Sequence, residues 1–292
     1  MKIAIKYFKT DAMKWIYQGY FNAFKALGHE VSVFYTPQDI VSADIIFDFL
    51  TPGSLEHKDY EKLILFVTPN RFPGRWNEHE NYVSKLAKSE QIVAEINNNS
   101  KILKWTFCNN KNVDFWDNWE DVKYYPLAFD HKAYTQHEFE PKYDVYYCGG
   151  WANNGYNTKK KRIISHLSEF KDKGLKTGFF INKGISHSNE NYYLANSRVC
   201  VNIHDDYQIE LGLDTNERTF KALGLGGVVV SDRVEEIAHL NLPVILADDP
   251  YDMYIKTLEA MNTPISVRKS NKELILENHC YIHRARKMLE DL

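Results

Sequence analysis

Four short apolar segments punctuate the start of the chain: KIAIKYF (2–8), EVSVFYT (30–36), ADIIFDFL (43–50) and KLILFVT (62–68). Each has the length of a strand and the β-branched and aromatic content of one. Between the first two, DAMKWIYQGYFNAFKALGH puts Trp15, Ile16, Tyr20, Phe24 and Leu27 on one helical face and closes at Gly28. Alternation of this kind admits few folds. Parallel strands need crossover connections, those crossovers are right-handed, and helices then cover both faces of the sheet. The resulting doubly wound α/β domain takes its ligand in a crevice at the carboxyl ends of the strands.

The pattern starts again after the polar segment HKAYTQHEFEPK. YDVYYCGG (143–150) reads as a strand ending in two glycines and KKKRIISHLSEFKDKG as an amphipathic helix. KTGFFI, RVCVNIH, VVVS and LPVILAD read as further strands, and the tail as helical. A chain of 292 residues with 44% hydrophobic content can build two cores. The expected organisation is a first Rossmann-like domain over 1–130, a linker over 131–142 and a second domain over 143–275. A carboxyl-terminal helix follows over 276–292, with return to the first domain as one option.

Composition excludes several classes. A net charge of −3 gives no global attraction to nucleic acid, so such a contact needs a local basic surface. Cys108, Cys148, Cys200 and Cys280 form no C-x-x-C pair, which argues for free thiols in a reducing compartment. MKIAIKYF reads as a strand, not a leader, and no apolar run approaches the roughly 18 residues that span a bilayer. These features lead us to expect a soluble, cytoplasmic protein. Dinucleotide fingerprints, P-loops and G-x-S-x-G elbows are absent, as is any D-x-D pair for a divalent cation. HDDY (204–207) and ADDP read as loop ends after strands.

The segment with most chemistry is NERTFKALGLGGVVVSD (216–232). Thr215 or Asn216 can cap a helix whose first backbone N–H groups and dipole would hold an anion such as a diphosphate. Phe220, Leu223 and Leu225 would anchor it, and Gly226 and Gly227 would let the chain turn out with positive φ. Read blandly, this is a well-capped helix in an α/β sheet. The order N-x-R-x-F-x-A-L-x-x-G-G, an apolar strand and Ser-Asp resembles the signature of the CgeB-like, spore-maturation-type glycosyltransferases, relatives of the large retaining GT-B group. VCVNIH, YDVYYCGG, YYPLAFD and NHCYIHRARKML extend the resemblance over most of residues 124–292, with FKALGHEVSVFY the most typical piece before them.

The resemblance implies two facing Rossmann-like domains with a central cleft, a nucleotide sugar held mainly by the second and an acceptor by the first. Gly149 and Gly150 would form the turn that lets backbone approach the donor, with Asn216, Arg218 and Thr219 against its phosphates. A UDP-sugar is the first choice of donor, with no cofactor and no metal. One position departs from the family, which usually places Glu after the Phe to hold the ribose hydroxyls; here it is Lys221. An ammonium accepts no hydrogen bond, so that task passes elsewhere, with Glu217 and Asp214 as candidates.

Without a metal the leaving diphosphate needs cations, for which Arg218 and a lysine of NTKKKR, Lys159 first, are candidates. The lysines read equally well as a solvated face. Asp11 after the first strand, Glu210 before the motif and His79 beside Glu78 are candidate catalytic groups, Asp11 also reading as a helix cap. Arg71, Arg75 and Trp76, in the loop TPNRFPGRWNEHENY, interleave cations with an aromatic ring as an acceptor groove would. The acceptor is a surface glycan or, as in phage enzymes that this short chain also resembles, a hydroxymethylated base in DNA. A GT-B protein that binds nucleotide or sugar without catalysis is the reading of another class. Oligomeric state is left open.

Overall fold

A computed structural model describes residues 1–8, 13–40, 42–51, 53–57, 60–68, 89–109, 114–151, 157–210, 212 and 215–292. The chain divides into two units, Met1–Asp130 with Tyr281–Leu292, and His131–Cys280.

The first unit is a six-stranded parallel sheet in the order β2-β1-β3-β4-β5-β6. Its strands are β1 (Lys2–Lys6), β2 (Glu30–Phe34), β3 (Ile45–Phe49), β4 (Lys62–Phe66), β5 (Ile102–Thr106) and β6 (Lys123–Tyr124). All five residues of β3 and of β5 are buried, as expected for strands covered on both faces. Helices α1 (Lys14–Ala26) and α2 (Glu90–Asn97) belong to this unit. Tyr20 and Phe24 of α1 pack with Phe47 and Trp105 in an aromatic core.

The chain's last helix also belongs here. Tyr281 packs on α1 where Gly19 leaves room for its ring, and its N–H donates to the carbonyl of Phe129 at 3.1 Å. Tyr125 donates to the Asp291 carboxylate at 2.6 Å, which ties YYPLAFD to the chain end.

The second unit is a five-stranded parallel sheet in the order β11-β10-β9-β7-β8. It comprises β7 (Tyr143–Gly149), β8 (Thr177–Ile181), β9 (Ser197–Asn202), β10 (Val229–Asp232) and β11 (Val244–Ala247). Its helices are α3 (Asn157–Ser168), α4 (His187–Ala195), α5 (Asp206–Glu210), α6 (Glu217–Gly224), α7 (Glu235–His239), α8 (Pro250–Ala260) and α9 (Ile265–Asn278); α10 is Tyr281–Glu290 of the first unit. Val145, Tyr147, Val199, Val201, Val230 and Ile163 form its core with Met253 of α8. Residues 131–142 lie in this unit: Tyr134 is buried and Arg268 sits 4.1 Å from the centre of the Phe139 ring.

Both sheets repeat one topology, in which the first strand lies between the second and the third. Chain direction of the connections reverses between the first and third strands, and in open parallel sheets the ligand crevice lies outside the carboxyl ends at that switch point. In the second unit those ends are Gly149 of β7 and Asn202 of β9.

Candidate functional site

Arg218 meets both ends of the switch point. It lies in the first turn of α6, and its Nη1 donates to Oδ1 of Asn202 at 3.0 Å. Its guanidinium carbon stands 5.3 Å from the centre of the Tyr147 ring. A Cβ on Gly149 would lie 2.7 Å from Nη2 of Arg218 and 2.9 Å from the Tyr147 hydroxyl, so glycine is what admits the guanidinium to the end of β7. The hydrogen bond to Asn202 uses one of five guanidinium N–H groups and is its only side-chain hydrogen bond among the described residues. Gly150 is tied to the neighbouring strand end: Asn182, at φ 49° after β8, accepts from the Trp151 N–H at 2.9 Å.

Beneath Arg218 is a buried polar network. Asn202 Oδ1 also accepts from Asn216 Nδ2 at 2.9 Å, and Asn202 Nδ2 donates to Thr219 Oγ1 at 2.9 Å. Thr219 and Thr215 share a hydroxyl–hydroxyl bond of 2.7 Å, and Thr215 Oγ1 lies 3.0 Å from Nε2 of His204. His204 is fully buried, and its Nδ1 lies 2.6 Å from Oδ1 of Asp232 at the end of β10. Asp232 also accepts from the His204 backbone N–H at 3.1 Å and from Nη2 of Arg162 at 2.5 Å. Burial alone would raise this carboxyl; the hydrogen bond from His204, with the charge and hydrogen bond of Arg162, outweighs it and holds it at about 2.

A second cation stands near Arg218. Lys159, in the first turn of α3, is 12% exposed and bonds Asp205 at 2.7 Å. Burial lowers its ammonium below the usual lysine value; Asp205 pulls it up, and the charge of Arg218 pushes it down again. Lys159 and Arg218 therefore repel each other at one strand edge, an arrangement that a bound anion would relieve. Lys160 stacks on the Trp151 ring at 5.6 Å.

The residues expected from the sequence separate accordingly. Gly149, Gly150, Lys159, Asn216, Arg218 and Thr219 come together at the carboxyl edge of the second sheet. Thr219, expected against phosphate, is fully buried with its hydroxyl turned into the network. Asn216 occupies the cap position of α6 without a side-chain cap bond; its amide serves Asn202 instead, and its N–H goes to His204 at 3.2 Å. Glu217 is the half-buried first residue of α6. Of the two glycines after the helix only Gly226 has positive φ, 86°. Gly227 is required for space, since a Cβ there would lie 2.8 Å from the carbonyl oxygen of Ala222. Asp11, Arg71, Arg75, Trp76, His79 and Asp214 lie outside the described residues, as does the side chain of Glu210, whose backbone ends α5.

The sequence reading missed His204 and Asp232, the first taken as a loop end. Among the described residues no cluster suits a metal ion, no disulfide joins the four cysteines, and no helix is long and apolar enough to cross a membrane. A cavity of about 720 Å³ in the first unit, lined by His57, Tyr60 and Lys101, lies by the amino ends of β4 and β5, away from the carboxyl edge where such sheets hold ligands.

Residues 152–290 match a protein family described as Glycosyl transferase-like. No curated protein matches the chain in sequence. Among solved structures, T4 phage β-glucosyltransferase with UDP-glucose is similar at a TM-score of 0.62 and 12% identity, over 100% of this chain and 99% of that one. AviGT4, a glycosyltransferase of avilamycin A biosynthesis, is similar at 0.60 and 12%, over 99% and 96%. Sucrose-phosphate synthase from Thermosynechococcus elongatus is similar at 0.61 and 10%, over 99% and 98%. The T4 enzyme has also been solved with UDP and Mn²⁺, similar at 0.56. Residues 152–290 thus match a glycosyltransferase family, and the chain has the α/β fold of GT-B glycosyltransferases, with two parallel-sheet units.

Proposed function

We propose that this chain transfers a sugar from a nucleotide-diphosphate donor, a UDP-sugar first, to an acceptor hydroxyl, as a CgeB-like enzyme of the cytoplasm. The observation that carries the reading is Arg218 at the switch point of the second sheet, beside Lys159 and next to a glycine that gives it room. As the glycosidic bond breaks, negative charge collects on the leaving diphosphate. Two fixed cations and the α6 amino terminus stabilise that charge more than the ground state, which lowers the barrier. We infer a metal-independent reaction, because these groups supply the charge that a metal cation otherwise would, and retention of configuration from the resemblance to the retaining GT-B group. In this reading Gly149 and Gly150 admit the donor and Asn216 shapes its site. Asp11, Glu210 and His79 are the proposed catalytic groups.

For the acceptor, a surface glycan is the first choice and a hydroxymethylated pyrimidine in DNA the second. The second is favoured by likeness over both whole chains to a T4 enzyme described as DNA-modifying, and by Arg71, Arg75 and Trp76 in the sequence. Release of UDP from UDP-glucose, with and without oligosaccharide or hydroxymethylcytosine duplex, tests the function. Acceptor-dependent release supports transfer. Tight UDP binding with no release on any acceptor would instead favour a binding protein without catalysis.

A further inference from the structure

Two charged side chains inside the second unit take no part in the network under Arg218. Lys221 follows Arg218 by three residues on α6, so the two share a helix face about one turn, or about 5 Å, apart. Its side chain is 5% exposed, and its ammonium lies 3.6 Å from Oε2 of Glu190 and 5.7 Å from the centre of the Tyr134 ring. Glu190 stands in the first turn of α4, which Ser186 caps, and keeps 15% of its side chain open to solvent. A lysine is rarely buried without a counter-charge, so each member of this pair fixes the other. At 3.6 Å the contact is electrostatic, beyond hydrogen-bond length, and the carboxylate retains capacity to accept.

The strand end links this pair to the candidate site. Cys148, the residue before Gly149, lies within electrostatic reach of Arg218, Glu190 and Lys221 together. Glu190 and Arg218 therefore both act on the end of β7, and Lys221, one helical turn from Arg218 on α6, holds the carboxylate there. A nucleotide laid with its phosphates on Arg218 presents its ribose next along its length, and a vicinal diol needs an acceptor of two hydrogen bonds. Carboxylates meet that need in dinucleotide sites. Lys221 cannot, having only donors.

We propose that Glu190, positioned by Lys221, accepts the ribose hydroxyls of the bound nucleoside diphosphate. This rests on the donor site proposed above. The test is calorimetric titration of the intact chain with UDP, GDP and ADP and with the 2′-deoxy form of whichever binds tightest. The wild-type chain should prefer the ribose form by roughly tenfold or more, the discrimination expected when one charge-assisted hydrogen bond is lost. Glu190→Gln should bring the ratio toward one by weakening only the ribose ligand. Because that variant strands a buried ammonium, Glu190→Gln with Lys221→Met is measured beside it and should give the same collapse. An unchanged ratio in the double variant, or a wild-type chain that binds both forms equally, overturns the role of Glu190 and leaves the phosphate site standing. Failure of every nucleoside diphosphate to bind the wild-type chain overturns both.

Discussion

Asn216 gives its backbone N–H to Nε2 of His204 at 3.2 Å, and that bond decides which ring nitrogen carries the proton. Nε2 must accept, so Nδ1 holds the hydrogen and donates to Asp232. The imidazole therefore joins the start of α6 to the end of β10, and the position of Arg218 depends on that join.

Acid should weaken this join in a predictable window. Asp232 titrates at about 2 in the fold, against 3.8 for a free carboxyl. A carboxyl lowered by folding adds stability that is full above pH about 4 and is lost as pH falls toward 2, on the order of 2 kcal/mol. Denaturant unfolding from pH 5 to pH 2 should show this acid limb, and Asp232→Asn should flatten it. An identical limb in the variant would contradict the assignment.

Gly149→Ala should act on Arg218 with little effect on the fold. The added methyl meets the movable end of the guanidinium and the Tyr147 hydroxyl, and the backbone there needs no positive φ. We expect nucleotide affinity to fall about tenfold, or about 1.4 kcal/mol, while the melting temperature stays within a few degrees. Equal affinity would mean that the guanidinium does not need its place at the end of β7.

Much of this architecture was legible in the chain. Strands buried on both faces are largely apolar, so ADIIFDFL and KLILFVT point to β3 and β4, and α6 shows its anchoring residues and closing glycines. The network was not legible. His204 and Asp232 stand 28 residues apart and meet only because β9 and β10 are neighbours in the sheet. Lys221 and Glu190 likewise meet only where α6 packs on α4. Gly226 and Gly227 look alike in sequence, yet one serves a backbone angle and the other a close contact, which only packing distinguishes.

Metal independence can be tested directly, since the T4 enzyme of similar fold has been solved with UDP and Mn²⁺. If Lys159 and Arg218 carry the diphosphate charge, turnover should persist in EDTA, and Lys159→Met should lower it about tenfold or more. Complete loss in EDTA, restored by Mn²⁺ or Mg²⁺, would contradict the metal-independent mechanism.

A DNA acceptor would leave an electrostatic signature. Binding to a hydroxymethylated duplex should fall steeply with salt, at a log–log slope of about −0.9 per phosphate contact. Arg71→Ala with Arg75→Ala should flatten that slope without altering nucleotide affinity. Negligible DNA binding, with turnover on an oligosaccharide, would settle the acceptor as a glycan.

The central claim is that a nucleoside diphosphate binds at the carboxyl edge of the second sheet through Arg218. Titration calorimetry of UDP against the wild-type chain and Arg218→Ala, with melting curves for both, tests it most directly. A charge-assisted contact to phosphate is worth about 1.5–3 kcal/mol, so the variant should bind roughly ten- to a hundredfold more weakly with its melting temperature nearly unchanged. Equal affinity for UDP in the two proteins would contradict the claim and remove Arg218 from the site.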